Sequence, residues 1–250
     1  MFLKSFALAA AVTCTLPAFG ASITLADSTF NNADWTAVAI GTNPLTTASF
    51  TQIAGGNPGP SRQTTFTFGP ASAGQSGGVV TGNIGTLLTY DPSVQGAIDS
   101  LEFSFDLINL GTVNFNATVT GRYLPAFRQG GHVYYLVTTS AAAQATTWTN
   151  FTRTGLSSTE WVSLTIAGNP DLSASGTLIE FGYLFFYSGT CPTTATAGCS
   201  AGTTRSGLDN YSVRINIAEP EPPTGEIPEP STYALVGGGL ALATLFKRKK

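Results

Sequence analysis

The sequence predicts an all-β fold: an antiparallel β-sandwich of the jelly-roll type, with an N-terminal signal peptide and one C-terminal membrane helix. Apolar and polar residues alternate with a period of two in 101–107 and again in 113–119, which is typical of strands with one buried face. Clusters of Gly, Pro, Asn and Ser separate such segments, as turns separate short strands. No segment between 21 and 230 keeps a helical period over three turns.

Two segments define the predicted strands most clearly. In 101–107 four apolar residues share one face and three polar residues share the other, and 131–138 is rich in Val, Tyr and Leu. Residues 93–98 form at most one turn of helix, whereas 57–60 and 72–78 are predicted loops. The other predicted strands are 23–25, 35–40, 49–53, 63–68, 113–119, 148–153, 161–166, 178–187 and 211–217.

Charge composition excludes one class of partner. Residues 21–230 contain no lysine, six arginines and fourteen acidic residues, a net charge of −8. Because such a surface cannot neutralise phosphates, we expect no nucleic-acid partner. The hydrophobic content, 42% of the chain, is too high for a disordered protein, so residues 21–217 are predicted to form one sandwich domain.

The N-terminus predicts export. Residues 1–20 contain one early cation, Lys4, then an apolar stretch at 6–12, then the small residues Ala18 and Gly20. These are the parts of a secretory signal peptide, which signal peptidase removes. The mature chain is therefore expected to begin at Ala21.

Two cysteines remain once the signal peptide, which contains Cys14, is removed. Cys191 and Cys199 enclose the loop PTTATAG. An even pair in an exported chain predicts a disulfide, and closing this loop would stabilise the fold by roughly 2–3 kcal/mol. A metal or redox pair would need further ligands or a tighter spacing, which the neighbouring residues do not offer.

The C-terminus has three parts in a fixed order. A turn comes first, formed by Pro228, Glu229, Pro230 and Ser231. An uncharged run follows at 234–246, and the chain ends in a basic cluster formed by Lys247, Arg248, Lys249 and Lys250. This tail, 227–250, resembles the PEP-CTERM sorting signal of Gram-negative bacteria. The resemblance implies an exosortase-type processing enzyme as a partner, and a Pro/Glu-rich linker at 218–226 separates the tail from the domain.

The apolar run is short for a permanent membrane anchor. Its thirteen residues would rise only ~20 Å as a helix, against a bilayer core about 30 Å thick. We expect a temporary stop, with the basic cluster on the cytoplasmic side and a mature end near Pro230. The protein would be held transiently in the inner membrane and then reach the cell surface or extracellular matrix.

Two segments of the body resemble the carbohydrate-binding jelly rolls with a galactose-binding-like fold: DSTFNNADW at 27–35 and GLDNYSVRI at 207–215. The resemblance implies that the early Phe and Trp enter the core and that the last strand pairs beside the first. It also implies a structural calcium ion bound by Asp27, Asp34 and Asp209. No other cofactor is expected.

Aromatic residues are candidates for a sugar-binding surface. Tyr134, Trp148 and Trp161 would offer flat apolar faces to sugar rings, beside polar groups for the hydroxyls. The alternative is that these residues fill the core, where we place Trp35 and Phe181.

Catalytic residues are sparse. His132 is the only histidine, and no nucleophile elbow precedes a helix, so we expect a secreted, non-catalytic surface or matrix protein that contacts exopolysaccharide. One alternative is a glycan-acting hydrolase, which would need two carboxylates converging in a groove around Glu102, Asp106 and Glu180. A purely structural matrix protein is another, and abundant threonine leaves an ice-binding protein as a third.

Overall fold

The computed structural model describes residues 20–41, 43–113, 117–136 and 145–219. The compact unit that holds the described elements ends at Ala218. Its strands and helix are β1 (Ser22–Asp27), β2 (Trp35–Gly41), β3 (Thr46–Ala54), β4 (Pro60–Phe68), β5 (Ser76–Tyr90), α1 (Pro92–Gln95), β6 (Ile98–Val113), β7 (Thr118–Gln129), β8 (His132–Leu136), β9 (Thr149–Leu156), β10 (Trp161–Ser163), β11 (Ile179–Thr190) and β12 (Gly202–Ile217). Short 3-10 turns lie at Asn32–Asp34 and Ser158–Glu160.

The strands form two six-stranded sheets. Sheet A has the order β3–β4–β12–β6–β9, with β1 beside β12, and sheet B has the order β10–β8–β7–β11–β5–β2. The strand pairs are antiparallel, so the predicted antiparallel sandwich is confirmed. The last strand pairs beside the first, with Asp27 opposite Tyr211, as the resemblance implied.

The core lies between the sheets and takes every second residue of the strands that flank it. On β6 the four apolar residues of 101–107 are buried, in agreement with the alternation. Trp35 and Phe181 are buried as expected. Aromatic rings from both sheets meet in the middle, where Phe103 lies 5.9 Å from Phe181 between ring centroids. Burial of each such side chain stabilises the fold by roughly 1.5–3 kcal/mol.

Strand β5 is absent from the predicted strands, and its first residues fall in the loop predicted at 72–78. Glycine is depleted in strands, so its four glycines obscured a fifteen-residue element. The structure gives these glycines a packing role. A Cβ atom on Gly82 would lie 3.0 Å from Leu184 and 3.7 Å from Val38, so the glycine lets the neighbouring side chains close over the strand.

The strand predicted at 113–119 is tested only at its two ends, which belong to different strands. β6 ends at Val113 and β7 begins at Thr118, whereas 114–116 lies outside the described residues. Most of β7 is missing from the predictions, because a proline argues against a central strand. Pro125 is tolerated there because β8 pairs with β7 only from Ala126 onward.

The predicted disulfide is confirmed. Cys191 and Cys199 are buried and bonded, with their Cα atoms 5.6 Å apart. Backbone hydrogen bonds tie this loop to the one before β5: the N–H of Ala71 donates to Cys199 at 3.1 Å and the N–H of Cys191 donates to Gln75 at 2.9 Å. The covalent loop is therefore fixed to its neighbour at one end of the sandwich.

The predicted targeting segments lie largely outside the described residues. These segments are 1–19 of the signal peptide and the chain from 220 onward, which contains the rest of the linker, the sorting motif and the basic cluster. Within the described ranges, no helix has the length and apolar character needed to cross a membrane. The signal peptide, the linker and the sorting signal remain predictions.

Candidate functional site

Two of the three aromatic residues predicted to bind sugar are buried. Tyr134 is 5% exposed and Trp161 is fully buried. Both point between the sheets, where the ring of Phe127 lies 5.5 Å from Tyr134 and 4.7 Å from Trp161. The prediction of an outward platform is wrong for these two, because strand alternation turns them toward the core.

Trp148 lies apart from them, half-buried on the outside of sheet A. Its ring covers Gly207 of β12, where a Cβ atom would lie 3.0 Å from the indole. Gly207 points outward because its neighbour Leu208 is fully buried in the core. The structure therefore does not bring Tyr134, Trp148 and Trp161 together.

Asp27, a predicted calcium ligand, is already bound by protein donors. Its Oδ1 accepts the N–H groups of Thr29 at 2.7 Å and Phe30 at 3.0 Å, and its Oδ2 accepts the indole N–H of Trp35 at 2.6 Å. Burial alone would raise the pKa of Asp27, but these hydrogen bonds outweigh it and lower the pKa. Asp27 thus orders the 28–30 turn.

The other two predicted ligands do not complete a calcium site. Asp34 lines a surface cavity of about 250 Å³ together with Asp27, whereas Asp209 is fully buried and accepts the backbone N–H groups of Asn57 and Asn210. Among the described side chains, no three of Asp, Glu, His and Cys are grouped so as to hold a metal ion. The three aspartates therefore do not fit the calcium site that the resemblance implied.

The carboxylates of the hydrolase alternative lie on opposite sides of the sandwich. Glu102 and Asp106 point outward from β6 in sheet A, whereas Glu180 points outward from β11 in sheet B. Glu180 therefore cannot converge with Glu102 or Asp106 in the groove that this alternative needs. His132 begins β8, and its Nδ1 lies 3.1 Å from the hydroxyl of Thr165.

The outward side of sheet B carries an apolar cluster separate from the core; we call it the sheet-B face. Its buried members are Leu124, Ala126, Val133 and Leu184. Half-buried side chains pack around them: Val38, Ile40, Val80, Tyr135 and Phe186. Since the other side of this sheet already packs the core, an apolar outward side is unusual. The apolar surface that the half-buried members leave exposed is a candidate binding surface.

Tyr135 and Phe186 are the aromatic residues of the sheet-B face. Their ring centroids lie 5.6 Å apart, tilted by 42°. Beside Phe186 runs a groove of about 460 Å³, lined also by Val80, Thr120 and Arg122. This volume lies within the range of small-molecule sites, about 300–1,000 Å³.

Polar groups border this apolar area. Arg128 and Glu180 stand opposite each other on β7 and β11, joined by hydrogen bonds of 2.7 and 2.9 Å. Hydrogen bonding to Glu180 raises the pKa of Arg128, so the guanidinium stays charged. Two hydroxyl pairs, each 2.9 Å apart, lie toward the other end of the face: Thr120 with Ser188, and Ser76 with Thr190.

Tyr135 was not among the residues predicted from the sequence, whereas Phe186 lies in the aromatic run 183–187. Tyr134 and Tyr135 are adjacent, so one must point inward and one outward, and only the position of sheet A decides which. A usable signal lies in 183–187, where the aromatic and aliphatic residues are continuous. Such a run indicates a strand that is apolar on both faces.

Comparison with known proteins finds similarity in solved structures alone. No protein-family model matches the chain, and no curated protein matches it significantly. The CBM22-1 xylan-binding domain of Xyn10C from Paenibacillus barcinonensis is similar over 80% of this chain and 97% of that domain, with a TM-score of 0.35 and 12% identity. The C-terminal family 22 carbohydrate-binding module of Clostridium thermocellum Xyn10B gives 0.35 and 11%, over 77% of this chain and 93% of that one. Similarity at this level assigns neither ligand nor site.

Proposed function

We propose that this chain is an exported, non-catalytic module that binds a glycan on the sheet-B face. The observation that carries the proposal is the groove beside Phe186, where an aromatic pair and aliphatic side chains adjoin charged and hydroxyl groups. A pyranose ring has the matching character, with an apolar C–H face and a polar rim of hydroxyls. Pockets that bind small ligands combine the same two features.

The polar partners are placed for such a ligand. The Arg128–Glu180 pair borders the apolar area at one end and the Thr120–Ser188 hydroxyls at the other. Two hydrogen bonds from Arg128 hold Glu180 in place. The pair therefore presents a donor, the guanidinium, and an acceptor, the carboxylate, in fixed positions. A glycan lying along β11 would contact both the charged pair and the hydroxyl pair.

The arrangement supports binding rather than hydrolysis. Glycoside hydrolysis uses two carboxyl groups that flank the scissile bond. Glu180 is the single acidic side chain that the described strands of sheet B direct outward, and it is committed to Arg128. Binding needs no second carboxylate.

Export completes the proposal. The signal peptide at 1–20 and the sorting tail at 227–250 would carry the domain through the inner membrane to an exosortase, and then to the surface or matrix of a Gram-negative bacterium. The bonded Cys191–Cys199 pair supports an oxidising destination, since disulfides persist there. Intact-mass analysis of the surface form should give a chain from Ala21 to near Pro230, and a chain that still carries Lys250 would contradict exosortase processing.

Glycan binding is tested on an array of soluble polysaccharides with three variants. Tyr135→Ala and Phe186→Ala should each weaken binding by about tenfold or more, the range of an aromatic anchor in a contact surface. Trp148→Ala, which removes a half-buried aromatic ring from the other sheet, is the matched control and should bind as wild type. Wild-type binding by both sheet-B variants would overturn the site, and no binding to any glycan would overturn the function.

A structural matrix protein is the second candidate, and one observation favours it. The sheet-B face is largely aliphatic, with Val38, Ile40 and Val80 half-exposed beside Leu184, and aliphatic surface suits protein contacts as well as sugar. In that case Val80→Lys should abolish concentration-dependent self-association in sedimentation velocity, while no glycan binds. A monomer at every concentration would exclude this candidate.

A further inference from the structure

We propose that the interior of the sandwich binds one small anion, such as chloride, beside the guanidinium of Arg62. Arg62 is 3% exposed and belongs to none of the ion pairs found among the described residues. Its Nε and Nη1 donate to the side-chain oxygens of Asn83 and Asn32, at 2.7 and 2.8 Å. These amide oxygens are dipoles and bring no negative charge. A buried charge is costly unless an opposite charge accompanies it.

Three polar groups of the same interior lack a hydrogen-bond partner among the described residues: Nδ2 of Asn83, Oγ1 of Thr64 and the hydroxyl of Tyr183. All three residues are fully buried. A buried polar group without a partner is costly, and such groups in folded proteins commonly bind an ordered water or an ion. Three of them close together therefore indicate a ligand that they enclose.

The register of the strands brings these groups toward Arg62. Thr64 follows Arg62 by two residues on β4, so both side chains point inward. Tyr183 on β11 stands directly opposite Asn83 on β5, and the Cβ atoms of such a pair are about 5 Å apart. The hydrogen bond from Arg62 to Asn83 joins β4 to this pair. Burial raises the pKa of Tyr183, and the charge of Arg62 opposes the rise, in agreement with a guanidinium near this hydroxyl.

The chemistry of these groups selects an anion over a water molecule. The oxygen of Asn83 faces Nε of Arg62, which can only donate, so Nδ2 of Asn83 offers only donors to the site. The hydroxyls of Thr64 and Tyr183 are able to donate as well. A water would accept from these donors but would leave the charge of Arg62 unchanged. An anion accepts hydrogen bonds and also supplies the opposite charge.

The surroundings restrict the size of the ion. The rings of Trp35 and Tyr123 lie 5.7 and 5.6 Å from the ring of Tyr183 between centroids, and this close packing favours a monatomic ion over a phosphate or a carboxylate. Asn32, the second partner of Arg62, is exposed, which marks the side from which a small ion would enter. The bound ion would join β4 of sheet A to β5 and β11 of sheet B.

The first experiment measures stability against chloride. The urea midpoint of the whole exported protein is followed as sodium chloride replaces sodium gluconate at constant ionic strength, because gluconate is too large for the site. If one chloride binds the folded protein, the unfolding equilibrium constant should fall about tenfold for each tenfold rise in chloride above its Kd. A midpoint that does not change up to about 1 M chloride would overturn the proposal.

Tyr183→Phe and Thr64→Val test the two hydroxyls. Each should remove most of the chloride dependence, and in gluconate each should be at least as stable as wild type, because it deletes a buried hydroxyl that has no partner. Tyr90→Phe is the matched control. Tyr90 is fully buried and its hydroxyl donates to the carbonyl of Gly96 at 2.8 Å, so this variant should lose stability in both salts and keep the wild-type chloride dependence. Full chloride dependence in both test variants would overturn the site.

Bromide locates the ion, since it replaces chloride and scatters anomalously. Crystals grown in sodium bromide should show an anomalous peak between Arg62 and the hydroxyl of Tyr183. A water at that position, or no density, would overturn the proposal. A bromide peak with no chloride effect on the urea midpoint would mean an adventitious ion only, and would overturn it as well. Glycan binding concerns the outer side of sheet B, so its outcome does not affect this test.

Discussion

Arg62 and Asn83 join the two sheets through the interior of the sandwich. Nε of Arg62 on β4 donates to Oδ1 of Asn83 on β5 at 2.7 Å, and both residues are buried. The guanidinium also donates to Asn32 at 2.8 Å and lies 5.9 Å from the ring of Trp35. The ion pairs found among the described residues do not include Arg62. Amide oxygens and an aromatic ring therefore compensate this buried charge.

Asn83→Ala should destabilise the protein, because it leaves the Nε–H of Arg62 buried without an acceptor. We expect a loss of roughly 1–3 kcal/mol in the free energy of unfolding, measured by urea denaturation. Asn169→Ala removes an exposed amide and should change stability by less than about 0.5 kcal/mol. Equal losses in the two variants would show that the contact between the sheets contributes nothing.

Gly121→Ala should also destabilise the protein. Gly121 stands opposite Tyr187, whose ring lies across it and would overlap an added Cβ atom. Tyr187 cannot move freely, because its ring lies 4.2 Å from that of Phe66. The expected cost is about 1–3 kcal/mol by urea denaturation. Gly41→Ala is the control, since a Cβ atom there meets nothing within 4 Å. A Gly121→Ala protein as stable as this control would contradict the packing described.

The contribution of Asp209 to stability should rise as the pH falls toward 4. Burial raises the pKa of Asp209 above its ordinary value of 3.8, hydrogen bonds from Asn57 and Asn210 oppose the rise, and the charges of Asp106 and Asp27 add to it. The folded protein then binds the proton more tightly than the unfolded chain. Its stability is lower above the raised pKa, increases as the pH falls through that value, and levels off below 3.8.

The measurement for this pH effect is the urea midpoint at pH 7 and pH 4. Wild type should gain stability between these values relative to Asp209→Asn, in which the titrating group is absent. Asp99→Asn changes an exposed acid and should keep the wild-type pH dependence. An unchanged dependence in Asp209→Asn would assign the effect to another group.

Removing the disulfide should lower stability without changing the fold. In the double variant Cys191→Ala, Cys199→Ala, the loop of sequence separation 8 is no longer closed in the unfolded chain. The expected loss is about 2–3 kcal/mol in the free energy of unfolding, with near-wild-type circular dichroism. Ser200→Ala, an exposed change beside the loop, is the control. Two free thiols at 191 and 199 in native wild type would refute the bond itself.

The sequence predicted those elements in which one local pattern decides the structure. Residues 101–107 alternate strictly, so the buried side of β6 follows from a period of two and the hydrophobic effect. Cys191 and Cys199 are close in sequence, so their bonding needs no knowledge of distant contacts. Export signals are likewise local, although 1–19 and 220–250 lie outside the described residues.

The candidate site was not predictable in the same way. Glycines concealed β5 and Pro125 concealed β7, and these two strands are the neighbours of β11 in sheet B. Because β5 and β7 were not predicted, neither the sheet-B face nor the groove beside Phe186 could be predicted. Asp106 and Asp209 show the same limit: they stand opposite each other across β6 and β12 although 102 residues separate them in the chain.

By itself, the amino-acid sequence determined an acidic, all-β chain with a short covalent loop and predicted its export, because composition and near-neighbour patterns carry those properties. Tertiary structure alone decided which of two adjacent tyrosines faces outward and which arginine lies beside an aromatic ring. Either face of a strand can point toward the core. The position of the sheet that packs against the strand decides which face is buried. The proposed binding surface is the apolar side of sheet B that this packing turns away from the core.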